Sequence, residues 1–166
     1  MEENGVSLVC FEICGEKFAF DLEYLVEIVR VQPSEITPWY SPVPIIRGKC
    51  EYRGQTVSII DLREFFGLQP TAEQSPQNAT PEQGAKNILV ISVGDQTFGL
   101  LTDKVLHMQP LSSYYEYPAF ISHLPRRYFG GVTMREAELV ILLAVENFVS
   151  AYELDILSGD AETEGA

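Results

Sequence analysis

Asp21, Glu27, Asp61 and Asp103 each stand near the end of an apolar run. Two carboxylates within reach of one another would supply the general acid and base of a hydrolase. Each of the four also stands where a carboxylate caps a turn or a helix, which accounts for it without catalysis. His107 and His123 have no cysteine or histidine at metal-ligand spacing. No serine lies in a Gly-x-Ser-x-Gly elbow, and no glycine pattern resembles a phosphate-binding loop. Cys10 and Cys14 share one strand, where four residues at about 3.3 Å separate them by roughly 13 Å. That exceeds the reach of a disulfide, about 7 Å between Cα atoms, and Cys50 is distant in sequence. No enzyme, metal or cofactor is expected. Arg53 suggests a different chemistry. Arg53-Gly54 between two apolar strands sets a guanidinium at a hairpin tip, where its fork matches a carboxylate on another molecule. The alternative, pairing with Glu51 or Glu64 of the same chain, is open. Trp39-Tyr40 and Tyr114-Tyr115 are either interface anchors or covers for a small core.

The elements that must carry these residues are mostly strands, used twice. A shift of 83 places Thr56–Ile60 on Leu139–Leu143, Leu62 on Val145, Phe65 on Phe148 and Gly48 on Gly131. A shift of 79 places Gly15-Glu16-Lys17 on Gly94-Asp95-Gln96 and Val26 on Val105. A glycine-started hairpin followed by a second strand pair and a helix start predicts two small β subdomains around a shared core. Strands are expected at 8–13, 17–22, 49–52, 55–60, 88–93, 97–101, 104–108, 128–134 and 138–143. Glu23–Val31 reads as a helical turn and a strand with Val26, Ile28 and Val29 buried; Ile59 and Ile141 read as joint-core positions. Asp61 is expected to form a capping box with Glu64, and Gly67 to end that helix. The first subdomain spans about 15–87 and the second about 88–143, with the strand at 8–13 and a helix at 145–157 packing across. Residues 69–87 hold nothing apolar larger than alanine and read as a mobile loop, and 158–166 as a disordered acidic tail.

The 166 residues carry a net charge of −13 with only 11 Lys and Arg. Such a chain repels anions at long range, so neither nucleic acid nor direct membrane insertion is expected. An N-terminus without a basic start or an apolar run, together with an odd number of cysteines, points to a reducing cytoplasm.

Phe18–Val29, Ile46-Arg47-Gly48, the run from Arg53 to Arg63 and Gly94–Val105 resemble the CheW-like coupling proteins of bacterial chemotaxis, in register from about Leu8 to Val149. The resemblance implies a mainly β fold of two five-stranded SH3-like barrels around a shared hydrophobic core. It implies a non-catalytic, free-standing adaptor that binds the regulatory domain of a CheA-type histidine kinase and the cytoplasmic tip of chemoreceptors, recruited to membrane receptor arrays. Carried over by position, its partner-binding residues are Arg53, Gly48, Leu25, Glu27 and Met108. The family's Asn-Leu before Arg-Gly is Glu51-Tyr52 here, and its last-strand Asp or Asn is Ala144. A similar adaptor of another pathway, such as type IV pilus motility, fits the same residues. The rival from another class is a ligand-binding sensor using the cleft between the barrels.

Overall fold

The structure, a computed structural model, describes residues 5–39, 45–68, 85–116 and 126–148, the side chains of Glu64, Phe65 and Arg126 excepted. Two sheets carry it. The first six strands are β1 (Ser7–Ile13), β2 (Glu16–Asp21), β3 (Leu25–Val31), β4 (Thr37–Pro38), β5 (Ile46–Tyr52) and β6 (Gln55–Ile60). After the helical turn α1 (Arg63–Phe66) come β7 (Lys86–Val93), β8 (Gln96–Thr102), β9 (Lys104–Pro110), β10 (Phe129–Arg135) and β11 (Glu138–Leu143).

The strand orders are β9-β1-β2-β11-β10 and β3-β7-β8-β6-β5-β4. Read side by side, the first five strands of each are the same design, with β4 added at one edge. The repeat does not divide the sheets where it divides the sequence. Hairpin β1–β2 pairs with β9 and β11 of the second half, and β7–β8 pairs with β3 and β6 of the first. The parallel junctions are short: Ile141 and Leu142 face Phe18 and Ala19, while Ile59 and Ile60 face Gly99 and Leu100.

Both faces of the exchanged hairpins are therefore buried, which is why they read as continuous apolar runs rather than alternating ones. One face fills a layer between the sheets: Val9, Phe11, Ile13, Phe18 and Phe20 from β1–β2, with Leu89, Ile91, Phe98 and Leu100 from β7–β8. The opposite face fills each barrel. Leu8, Cys10, Ala19, Val140 and Leu142 line one interior; Val31, Val57, Ile59, Ile88, Val90 and Leu101 line the other. Aromatic contacts knit the shared layer. Phe11 lies 5.9 Å from Phe18 and 5.8 Å from Phe20, and Phe66 of α1 joins Phe18 at 5.8 Å to Phe129 of β10 at 5.3 Å.

Several expectations are corrected by this arrangement. Ile59 belongs to one barrel's own interior, and Ile141 is only partly buried against the shared layer. Val26 and Ile28 face solvent at 54% and 39% exposure, because a bulge between Leu25 and Glu27 shifts the phase of β3. Asp61 accepts from the Arg63 amide at 3.0 Å and from the Arg63 side chain; the Glu64 side chain of the expected capping box lies outside the described residues. The expected loop at 69–87 ends early, since Lys86 and Asn87 are paired in β7; 69–84 lie outside the described residues. Val145–Phe148 form a 3-10 turn, and the rest of the expected terminal helix and the tail lie outside the described residues.

Because one layer serves both barrels, Phe11→Ala should cost about 3–5 kcal/mol and lower the stability of both together. Hydrogen exchange at β5 and β10 amides, read with thermal unfolding, checks this. Two separable transitions, one per barrel, would sink the shared-core account.

Candidate functional site

The turn between β5 and β6 is a two-residue hairpin loop with positive φ at both central residues, 49° at Arg53 and 79° at Gly54. This type I′ geometry follows the twist of the strands and projects the tip side chain outward. The Arg53 side chain is 73% exposed, and its Nη2 donates to Glu27 Oε1 at 2.7 Å. The Tyr52 hydroxyl donates to the same oxygen at 2.7 Å, and the guanidinium carbon lies 5.5 Å from the Tyr52 ring centre. Glu27 is on β3, four strands away in the sheet order. These bonds therefore close the curled sheet into a barrel at one mouth. The in-chain partner of Arg53 is thus Glu27; Glu51 instead accepts from Thr56 Oγ1 at 2.7 Å.

The electrostatics of the cluster agree with its geometry. Glu27 is held below the usual carboxylate range, first by the Tyr52 hydrogen bond and then by that of Arg53, against a smaller opposing effect of burial. The same bond from Glu27 raises the Tyr52 phenol and the Arg53 guanidinium.

Of the residues singled out in sequence, the structure brings Arg53 and Glu27 into contact and adds Tyr52, which in the sequence marks only a departure from the pattern it resembles. Leu25 is half-buried against the shared layer. Gly48 lies within β5 and offers a close approach rather than a contact group: a Cβ there would stand 2.7 Å from Ile36 Cγ2 and 3.2 Å from the Thr37 carbonyl oxygen. Met108 is 48% exposed on β9, in the other sheet. Its structural equivalent is Ile28, since Met108 pairs with Val9 as Ile28 pairs with Leu89. Tyr114 and Tyr115 are exposed, with Tyr115 bridged to Val132. Trp39 is partly buried against the shared layer, and Tyr40 lies outside the described residues.

The acids considered for catalysis are engaged within the chain. Asp21 accepts from the Glu23 amide at 3.0 Å, and Asp103 accepts from the Cys14 amide at 2.6 Å and from Lys86 Nζ at 2.5 Å. His107 Nε2 lies 2.5 Å from Gln109 Oε1, which also accepts from Arg135 Nη1. An amide oxygen only accepts, so His107 carries its proton on Nε2. Burial pushes the Cys10 thiol up to about 11, far from the depressed values of reactive thiols. Among the described residues no group of His, Cys, Asp and Glu has the makings of a metal site, and no helix is long and apolar enough to cross a membrane. His123 lies outside them.

Two five-stranded units sharing one apolar layer, with an arginine at the tip of one hairpin, define a double-barrel fold. The family model of the CheW-like domain matches residues 7–153, and the chain belongs to that family. It is 24% identical to the chemotaxis protein CheW of Treponema pallidum over 95% of this chain and 90% of that one. It is 26% identical to chemotaxis protein CheW of Klebsiella aerogenes, over 95% and 96%. The crystal structure of the scaffolding protein TtCheW from Thermoanaerobacter tengcongensis superposes with a TM-score of 0.67 at 20% identity, covering 87% of each chain. That likeness supports the fold.

Glu27 has a depressed folded value, so its contribution to stability is complete above the ordinary value of 4.5 and is lost as pH falls through the lower folded value. Tyr52→Phe removes the largest cause and should move the Glu27 titration midpoint upward, as followed by carboxylate NMR. A midpoint unchanged by the substitution would show that the Tyr52 bond does not hold the glutamate.

Proposed function

We propose that the chain is a non-catalytic adaptor of chemotaxis signalling that joins a CheA-type histidine kinase, through its regulatory domain, to the cytoplasmic tip of chemoreceptors. The observation that carries this reading is the Arg53 tip, bonded across the barrel mouth to Glu27, in a chain of the CheW-like family. The relatives' names supply the pathway; the geometry supplies the manner.

An adaptor transmits a receptor's state only if its own shape is fixed, because a coupling free energy is lost wherever a soft element absorbs it. Arg53 satisfies the opposite need. Its bond to Glu27 is on the surface, and exposed pairs of that kind contribute little to stability. The guanidinium is oriented by Glu27 and Tyr52 yet has further N–H donors for a carboxylate or carbonyl of a partner. Leu25 and Gly48 would act from beneath, by fixing β3 and β5, and Met108 would present an apolar contact from the second barrel.

Arg53→Glu should weaken binding of the kinase regulatory domain or a receptor cytoplasmic fragment at least tenfold, about 1.4 kcal/mol, with the melting temperature nearly constant. The exchange Arg53→Glu with Glu27→Arg restores an in-chain pair while reversing the charge offered outward. Calorimetric titration of both variants separates the roles. Recovery of full binding by the double variant would make Arg53 an internal brace, and the proposed partner contact would be lost.

A further inference from the structure

Arg53 meets Glu27 through one nitrogen and one oxygen, Nη2 to Oε1 at 2.7 Å. This falls short of the two-point fork by which a guanidinium holds a carboxylate most strongly. The same Oε1 accepts from the Tyr52 hydroxyl at 2.7 Å, so both donors converge on one oxygen of a glutamate whose side chain is 38% exposed. Two adjacent residues of one hairpin thus reach for the same atom, and one bond is enough to close the mouth.

The second barrel indicates which. Its closing bond runs from Arg135 Nη1 to Gln109 Oε1 at 3.2 Å, and Arg135 stands immediately before its turn as Tyr52 stands before its own. Both turns have positive φ at their two central residues, Arg53 and Gly54 in one, Glu136 and Ala137 in the other. The tip there is Glu136, whose ionised carboxylate has no hydrogen to give an amide oxygen. That barrel is closed by the residue before the turn, without its tip. The equivalent bond in the first barrel is that of Tyr52, and the bond of Arg53 is added to a closure already made.

The added bond matters for a side chain that binds elsewhere. Any carboxylate brought to Arg53 competes with Glu27 and is repelled by it. A carboxylate that offers both oxygens gains the fork that Glu27 does not give. Glu27, on losing Arg53, keeps the Tyr52 hydrogen bond and is not left without a donor.

We propose that Glu27 stands within the chain in the place of an Asp or Glu side chain of the partner protein, that this side chain takes Arg53 by exchange, and that Tyr52 holds the barrel mouth closed while it does. This rests on the partner contact proposed for Arg53, and adds the partner's chemistry and its competitor in the chain.

Hydrogen exchange of the full chain without partner tests the closure. Arg53→Ala should leave the amides of Leu25–Ile28 and Tyr52 exchanging at nearly the native rate, whereas Tyr52→Phe should speed them about threefold or more, since local opening follows the bond that restrains it. Calorimetric titration with the kinase regulatory domain and a receptor cytoplasmic fragment tests the exchange. Glu27→Gln keeps an oxygen for Tyr52 but removes the competing charge, and should tighten binding about threefold or more; Arg53→Ala added to it should abolish the gain. Equal loosening by Arg53→Ala and Tyr52→Phe overturns the division of roles. If Arg53→Ala alone weakens binding but Glu27→Gln does not tighten it, the exchange is overturned and the partner contact stands. If Arg53→Ala alone binds as the native chain does, the partner contact itself fails, and the exchange with it.

Discussion

Two short parallel junctions constrain this molecule, β11 against β2 and β6 against β8. Through them each half of the chain lends its first hairpin to the other half's sheet. A hairpin inserted in this way has no solvent face, so it must be apolar on both sides and must find two cores at once. The result is a layer between the sheets and a separate interior for each barrel. Neither barrel is complete without residues from both halves of the sequence, so the pairings that define them are long-range. The reward for that topology is stiffness: a displacement of one barrel has to disturb Phe11, Phe18 and Phe98, which the other barrel also needs.

The doubling of the fold was legible because the hairpin after Gly48 recurs after Gly131, with a bulge at each glycine. The exchange of hairpins was not, since nothing local distinguishes a strand paired within its half from one paired across. The offset of the first hairpins also differs by one from the match of their glycines. Cys14 and Gly15 both have positive φ, 50° and 83°, whereas in the second turn it is Gly94, at 60°, that does, with Asp95 outside that region. A type I′ turn and a type II′ turn need glycine at different places, so Cys14, not Gly15, is the equivalent of Gly94. One residue of slip exchanges the faces of a strand. With it corrected, Phe11 answers to Ile91, Phe18 to Phe98 and Leu25 to Val105, all on the shared layer.

The candidate site was legible in part for a similar reason. A guanidinium at an Arg-Gly turn can be read from two letters, and the position of Glu27 from the resemblance. That the two meet depends on how far the sheet curls, which is a property of the whole barrel. The bulge that turns Val26 and Ile28 to solvent is likewise invisible in β3 alone. It recurs at Leu106 of β9 because both edge strands must bend around an equivalent hairpin.

Equivalent positions in the two barrels then show where the copies have parted. Tyr52 and Arg53 correspond to Arg135 and Glu136, and Glu27 corresponds to His107. Both barrels are closed by the residue before the turn reaching to the far edge strand, Tyr52 to Glu27 in one and Arg135 to Gln109 in the other. The means of closure is kept while the chemistry is changed, and the exposed tip is cationic on one barrel and anionic on the other. Two copies of one fold with identical tips would present the same surface twice, whereas these two barrels present tips of opposite charge, so a charged group attracted to one is repelled by the other.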